Sequence, residues 1–547
     1  MPLQHPNITR QSKVAKTPHR LRDLAVALCM GALASSPPAA MAQVRLPSMG
    51  DTASETLPVG QERRYGEQIM REVWRDPDYL DDPVLVDYLE SIWRPLVEAA
   101  RQRGNIDDDV RAQFAWNIFL VRDRSVNAFA LPGGYVGIHL GLIAMTASKD
   151  ELASVIAHEL THVTQRHIAR SIASAGQQST LGMVAMILGV LAASRAGNAD
   201  IAQAAIAGGQ AGMIQGQLNF SRDMEREADR IGYGVYSEAG YGAGGMAAMF
   251  EKLDQANRLN DNGAFPYLRS HPLTLERLSE ARARATLANA STPGPNFVHA
   301  MMQARARVLM DNTAIGLKHA VDSAGGGRDA AQRASALYAG ALAALLSKDF
   351  VLAEKHAAQL RALVEAQGNR DPAAQRVATL LQVQLALARG DAPVAQTLLR
   401  EISKDTSRAA LFARAETALQ LPPGAAGTDK SALGESGQAL QTWVAEHRDD
   451  APAWALLARS DDALGKPLRA LRAQAEARLA VGDMNAAIDR LRAAQRQSRE
   501  ASGADFMDAS VIDARLRELQ SLQRAARADQ RGRGAGRDGG DGGRSPD

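Results

Sequence analysis

Apolar residues recur at spacings of three and four between about Glu62 and Arg103, with Leu85, Leu89, Trp93 and Leu96 on one stripe, and that spacing predicts helix. Three β-like runs follow: Phe114 to Val121, Ala128 to Leu131, and Tyr135 to His139, the last two joined by the turn signal Pro132-Gly133-Gly134. Helical periodicity returns at Lys149 to Ser171 and at Met224 to Glu238. A small sheet packed beside several helices buries these faces most simply, so the first half reads as α+β and mostly helical.

Between those last two helices the pattern changes. Thr180 to Ser194 is apolar and uncharged, and Ile201 to Leu218 is rich in alanine and glycine. The first run falls short of the roughly 20 residues needed to cross a bilayer. Two readings stay open: a helical hairpin packed as core or lid, and one that touches a membrane surface peripherally.

From about Ala330 to Arg524 nearly every stretch is helix-forming. The unit at Trp454, Leu457, Ala458, Ala470 and Ala477 has tetratricopeptide-like offsets, although Asp461 and Gln474 stand at two aromatic positions. Turns at Ser347-Lys348-Asp349, Arg389-Gly390-Asp391 and Val481-Gly482-Asp483 each precede an alanine-rich helix. An all-α tetratricopeptide-like repeat domain over 291–524 is expected, with a plain helical bundle as the alternative. The Gly/Arg/Asp-rich tail at 525–547 is expected to be disordered.

Length and charge narrow the class. A chain of 547 residues exceeds one core, and a formal charge of +2 leaves no basic surplus for nucleic acid. The first 42 residues read as a cleavable export signal. A basic region (Arg10, Lys13, Lys16, Arg20, Arg22) precedes the apolar Leu24 to Ala34 and the small-x-small site Ala40-Met41-Ala42. Its removal, which also takes Asp23, turns the charge to about −2. Cys29, the only cysteine, lies inside this signal, so the mature chain is expected to reach an oxidising compartment with no thiol.

The chemistry is concentrated in His158-Glu159-Leu160-Thr161-His162. Residues four apart share a helix face, so both imidazoles can reach one metal while Glu159 sits beside a water on it. A catalytic zinc takes a third protein ligand. The His-x-x-Gly-x-x-His class is excluded, because Gln165 and Ile168 stand at the glycine and second-histidine positions. His167, five residues beyond His162 on one continuous helix, would face the wrong way and is expected at the surface. Glu225 and Asp229 lie one turn apart, which lets the glutamate bind metal while the aspartate orients a ligating histidine. Glu227 points about 200° away and needs a different partner.

These segments, together with Asn127 to Gly134 and Ser270-His271-Pro272 with Arg277, resemble the zinc peptidase family that includes HtpX and the CAAX prenyl proteases. The specific motifs cover about Asn127 to Leu278. The resemblance implies a zincin-type domain over 43–290 with one Zn²⁺ on His158, His162 and Glu225. It further implies Glu159 as general base, Asp229 behind a ligand, and His271 and Arg277 beside the substrate. His271 has two open roles, as an oxyanion donor or as an occupant of the fourth zinc position. The strand near Asn127 is either an edge that pairs with extended substrate or a purely structural strand.

With the export signal and repeats added, the resemblance implies a periplasmic zinc endopeptidase of outer-membrane protein quality control. Its substrates would be unfolded or misassembled proteins, and its repeats would recruit them or engage the outer-membrane β-barrel assembly machinery. The alternative is a chaperone-like scaffold whose peptidase site is mostly shut.

Overall fold

The computed structural model describes residues 57–175, 222–259, 265–288, 296–366, 371–421, 430–500 and 506–535. The expected export signal and the 180–218 segment lie outside the described residues. Among those described, no helix is long and apolar enough to cross a membrane.

The first part runs α1 (Val59–Val73), β1 (Tyr79–Leu80), α2 (Pro83–Gln102), α3 (Asp108–Gln113), β2 (Asn117–Val121), β3 (Ala128–Leu131), β4 (Tyr135–His139), α4 (Leu140–Met145), α5 (Lys149–Thr164) and α6 (His167–Ala175). It continues with α7 (Arg222–Glu238), α8 (Gly244–Leu259), α9 (Pro266–Ser270) and α10 (Leu275–Leu287). The strands form one mixed sheet ordered β1-β2-β4-β3, in which only β2 and β4 are parallel. The β3–β4 connection is the three-residue turn expected at Pro132-Gly133-Gly134. Both glycines have positive φ (77° and 90°), a conformation in which a side chain is strained.

Two expected helices are broken. The stretch 62–103 divides into α1 and α2 around β1, a strand too short for its periodicity to show, and Asp82 starts α2 by accepting the Leu85 N–H at 2.9 Å. The stretch 149–171 divides at Gln165-Arg166, where Arg166 adopts φ 51°. That conformation is costly for a non-glycine residue. The Arg166 side chain offsets the cost by bonding Glu62 Oε2 at 2.9 Å and the Leu57 carbonyl at 2.5 Å.

Helix α5 is the centre of the first part. Ser148 accepts the Glu151 N–H at 3.1 Å while Glu151 Oε2 accepts the Ala147 N–H at 2.7 Å, a reciprocal cap of the kind an S-x-x-E spacing allows. From Glu151 to Thr164 every residue of α5 is buried. Gly232 makes this enclosure closer: a Cβ there would meet the Ala157 carbonyl oxygen and Thr161 Oγ1 at 3.1 Å, so α7 lies directly on α5.

The second part consists of helices α11 (Phe297–Met310), α12 (Ala314–Asp322), α13 (Ala330–Leu346), α14 (Phe350–Glu365), α15 (Pro372–Ala388), α16 (Ala392–Glu401), α17 (Arg408–Gln420), α18 (Lys430–Glu446), α19 (Ala451–Ala463), α20 (Pro467–Ala480), α21 (Met484–Glu500) and α22 (Phe506–Ala535). The three turns expected from sequence separate α13 from α14, α15 from α16 and α20 from α21. Each has a left-handed residue (Lys348, Gly390, Gly482) followed by an aspartate whose N–H reaches back to the preceding helix (Ala344, Ala386 and Arg478 carbonyls). The same aspartates then cap the next helix, accepting the Leu352, Val394 and Ala486 N–H groups. Helix α22 continues to Ala535, into the tail expected to be disordered from 525, where alanine and arginine sustain helix until the glycines accumulate.

The apolar core does not stop near residue 290. One cluster joins Trp93, Val136 and Leu160 of the first part to Met302, Leu342, Leu360 and Leu385 of the second. Polar contacts follow the same route. His299 of α11 bonds the Tyr88 hydroxyl (2.7 Å) and the Thr146 carbonyl (2.9 Å), and Gln303 Nε2 donates to the Ala144 and Thr146 carbonyls at 3.1 and 2.7 Å. Arg305, buried, makes a fork to both oxygens of Asp82 at 2.7 Å. Next to it, Asp81 receives both Arg408 terminal nitrogens at 2.7 and 2.8 Å.

The first part therefore shares its apolar core with the helices that follow residue 290. A chain ended after Ala290 loses α11 to α15 and exposes the apolar surface of α4 and the carbonyls of Ala144 and Thr146. It is expected to bind a hydrophobic dye and to lose cooperative thermal unfolding, which dye fluorescence and calorimetry would check; full solubility with a sharp transition would contradict this reading.

Candidate metal centre

Four side chains meet at one point: His158 and His162 from α5, Glu225 from α7, and His271 just after α9. One ligand atom from each lies within 4.8 Å of all the others. His158 Nε2 is 3.0 Å from His162 Nε2, 3.3 Å from His271 Nδ1 and 3.5 Å from Glu225 Oε2; Glu225 Oε1 is 3.5 Å from His162 Nε2 and 2.9 Å from His271 Nδ1. A tetrahedral zinc with ligands at about 2.1 Å would hold its donors about 3.4 Å apart. The donor set fits such an ion, because three imidazole nitrogens and a carboxylate oxygen converge at nearly that spacing.

All of these groups are buried, as are Glu159, Asp229 and Arg277. Neither oxygen of Glu159 has a hydrogen-bond partner among the described residues, and the nearest imidazole nitrogen, His271 Nε2, is 3.5 Å from Oε1. Burial raises the Glu159 pKa above the ordinary carboxylate value. Such a carboxylate has a stronger hold on a proton.

Asp229 lies behind His158. Its Oδ1 is 3.0 Å from His158 Nδ1, and Arg277 grips both its oxygens, at 2.6 Å through Nε and 2.8 Å through Nη2. Arg277 also pairs with Glu225 Oε2 at 2.9 Å. With no metal, burial alone would depress the His158 pKa, but Asp229 and Glu225 outweigh it and hold it at about 10, so a metal bound there displaces a proton from Nε2. Burial likewise opposes ionised Asp229, and Arg277 and His158 outweigh it, keeping that carboxylate below its usual range. Arg277 thus ties together the metal-facing and the outer carboxylate of α7.

His167 corrects the sequence-based expectation. It is fully buried, not at the surface, and its Nδ1 is 2.8 Å from His162 Nδ1. The left-handed Arg166 ends α5 and swings His167 back toward His162, which one continuous helix could not do. Thr164-Gln165-Arg166 contains no glycine or proline to signal that break. Glu227, turned away from the cluster as its helical angle requires, meets His167 Nε2 at 3.2 Å and Arg170 at 2.8 Å. Tyr267 was not singled out from sequence either; it is buried and stacks on His271 with ring centroids 4.7 Å apart.

Strand β3 is an outer strand of the sheet and packs beside α5. The His139 N–H donates to the Asn127 carbonyl at 3.1 Å, so by antiparallel alternation Phe129 and Leu131 also bond β4 while Ala128 and Ala130 turn their backbone groups outward. The outward Ala130 is the one whose N–H faces Glu159.

Arg277→Met is expected to destabilise the metal-free protein by about 3–5 kcal/mol, because it leaves two buried carboxylates short of their cation. Lysine should not restore it, since an ammonium cannot reproduce the fork. Urea unfolding of the three proteins checks both statements; a rescue by lysine would show that only the charge matters.

Residues 90–285 match the model of peptidase family M48. A Vibrio cholerae protein bearing the name beta-barrel assembly-enhancing protease is 37% identical over 294 residues, 54% of this chain and 57% of that protein. The beta-barrel assembly-enhancing protease of Escherichia coli is 29% identical over 479 residues, 87% of this chain and 92% of the relative. The mitochondrial metalloendopeptidase OMA1 of Saccharomyces cerevisiae is 30% identical over 197 residues, 35% of this chain and 53% of that protein. Through residues 90–285, this chain belongs to the metallopeptidases of family M48.

Proposed function

We propose that this chain is a periplasmic zinc endopeptidase that cuts unfolded or misassembled proteins and is held shut at rest by His271. The observation that carries the reading is the four-donor cluster beside a fully buried, unpartnered Glu159. His158, His162 and Glu225 are assigned as the ligands of one zinc. Bound there, zinc supplies a Lewis acid that activates water near neutral pH and polarises a peptide carbonyl.

The chain's own groups do the rest. Glu159 takes the proton of the attacking water and returns it to the departing amine, a task that its raised pKa suits. Asp229, fixed by Arg277, holds the outer nitrogen of His158 so that the inner one faces the metal. An extended substrate adds to the outer edge of β3, with which no described strand pairs, where the backbone groups of Ala128 and the Ala130 carbonyl can hold a chain across the cluster. His271 presents Nδ1 to the cluster and Nε2 to Glu159, and so occupies the space that water and substrate need. The geometry favours this gating role over the oxyanion role. It also reconciles the protease with the scaffold reading, since a closed peptidase can still serve its repeats.

The tetratricopeptide-like helices are assigned to substrate and partner recruitment. The names of the Vibrio and Escherichia relatives support a link to β-barrel assembly at the outer membrane, and the export signal read in the sequence supports the periplasm. The 180–218 segment is kept as a lid or peripheral membrane contact.

Glu159→Gln should retain one zinc per chain and cleave an unfolded model substrate about 10²- to 10⁴-fold more slowly. Wild-type cleavage by that variant would end the general-base assignment, and a Glu225→Ala variant with full zinc content would move the third ligand elsewhere. At matched zinc content, His271→Ala should cleave faster than wild type. Slowing by about 10²- to 10³-fold would instead make His271 an oxyanion donor, and an unchanged rate would remove it from the active site.

A further inference from the structure

The two histidines of α5 are supported from behind in different ways. His158 leans on a carboxylate, Asp229, which an arginine holds in turn. His162 leans on a second histidine. His167 Nδ1 lies 2.8 Å from His162 Nδ1, its Nε2 lies 3.2 Å from Glu227 Oε2, and Arg170 Nη1 lies 2.8 Å from the same oxygen. Each support thus ends in an arginine–carboxylate pair that starts on α7, from Asp229 on one side and from Glu227 on the other.

We propose that Glu227 and His167 are positioning residues that fix the tautomer and ring orientation of the metal ligand His162. This rests on the zinc reading above, and it follows from counting protons. A neutral His162 that offers Nε2 to a metal carries its hydrogen on Nδ1, and that N–H needs an acceptor. The acceptor within reach is His167 Nδ1, so His167 carries its own hydrogen on Nε2 and donates it to Glu227. Glu227 accepts, and Arg170 keeps it ionised and in place. With both imidazoles neutral and Glu227 ionised, one arrangement of hydrogens satisfies all three contacts, and it is the one that turns the lone pair of His162 Nε2 toward Glu225 and His158.

The arrangement also accounts for three features that the ligand set leaves unexplained. A histidine with no exposed surface needs polar partners on both nitrogens, and His167 has them. The strained φ of Arg166 is what directs its ring inward. Glu227, which cannot reach the metal, nevertheless lies two residues from each of Glu225 and Asp229, so α7 supplies a ligand and both supports from one stretch of five residues.

The test is zinc affinity of the full chain by chelator competition, which does not depend on activity. His167→Phe keeps the ring and removes the acceptor, and should weaken zinc about 10- to 100-fold. His167→Asn places an amide oxygen close to where Nδ1 stood and should recover most of that loss. Glu227→Leu should weaken zinc while Glu227→Gln, which can still accept from His167, should do so much less. In ¹⁵N-histidine-labelled, zinc-loaded wild type, a through-hydrogen-bond coupling between the two Nδ1 atoms is expected, and that measurement stands even if a variant fails to fold. Wild-type affinity in His167→Phe, equal losses in the phenylalanine and asparagine variants, or absence of the coupling would each overturn the proposal. A wild-type chain that takes up no zinc would overturn the zinc reading itself, and this inference with it.

Discussion

A helix buried on every side can carry polar side chains only if other parts of the chain satisfy each of them, and α5 carries His158, Glu159, Thr161 and His162 in that condition. Thr161 satisfies itself by bonding the Ala157 carbonyl at 2.8 Å. The histidines cannot, and so they recruit α7, α6 and the segment around His271 and Arg277. Glu159 alone is left without a hydrogen bond. Among the described residues the Tyr267 hydroxyl and Asn127 Oδ1 are buried without a partner too, but Glu159 is the carboxylate with neither oxygen bonded, and the cost of burying it fits a group held for chemistry.

The second part of the chain takes part in that enclosure. The last carbonyls of α4, at Ala144 and Thr146, come just before the Ser148 cap that starts α5, and they are satisfied by His299, Gln303 and Arg307 of α11. The position of the metal-facing helix is thereby tied to the first helix of the second part. A load on the second part reaches the cluster through two short links, α11 to the α4–α5 junction and α5 itself.

Much of this was legible in the sequence because it depends on local periodicity. The three longer strands, the β3–β4 turn and the Gly-Asp turns between helices all follow from spacing and from residues with special backbone preferences. The pairing of His158 with His162 was legible for the same reason, since i to i+4 spacing settles which groups share a face, whereas Glu225 as their third partner rested on the family resemblance of its segment. What escaped was non-local. Arg166 takes an unfavourable φ because Glu62 and the Leu57 carbonyl, more than a hundred residues earlier, bind its guanidinium. No window around residue 166 contains that information, and with it went the position of His167. The core shared across residue 290 was hidden likewise, because helical periodicity says which face is apolar and not which partner covers it.

The adjacent aspartates Asp81 and Asp82 hold two different stretches of the second part with unequal protection. Asp82 grips Arg305 in a nearly dry setting, with 3% and 9% of the two side chains exposed, whereas Asp81 grips Arg408 with 20% of its own side chain in solvent. Helices α17 to α22 have apolar clusters of their own, around Leu440 and Leu456 and around Ile488 and Leu516. Salt screens the wetter grip and leaves the drier one nearly untouched. Rising ionic strength is therefore felt first at the Asp81 grip, where Arg408 still keeps a second carboxylate, Asp450, at 2.7 Å, so the far helices lose one of two charged anchors there before the Asp82 grip weakens.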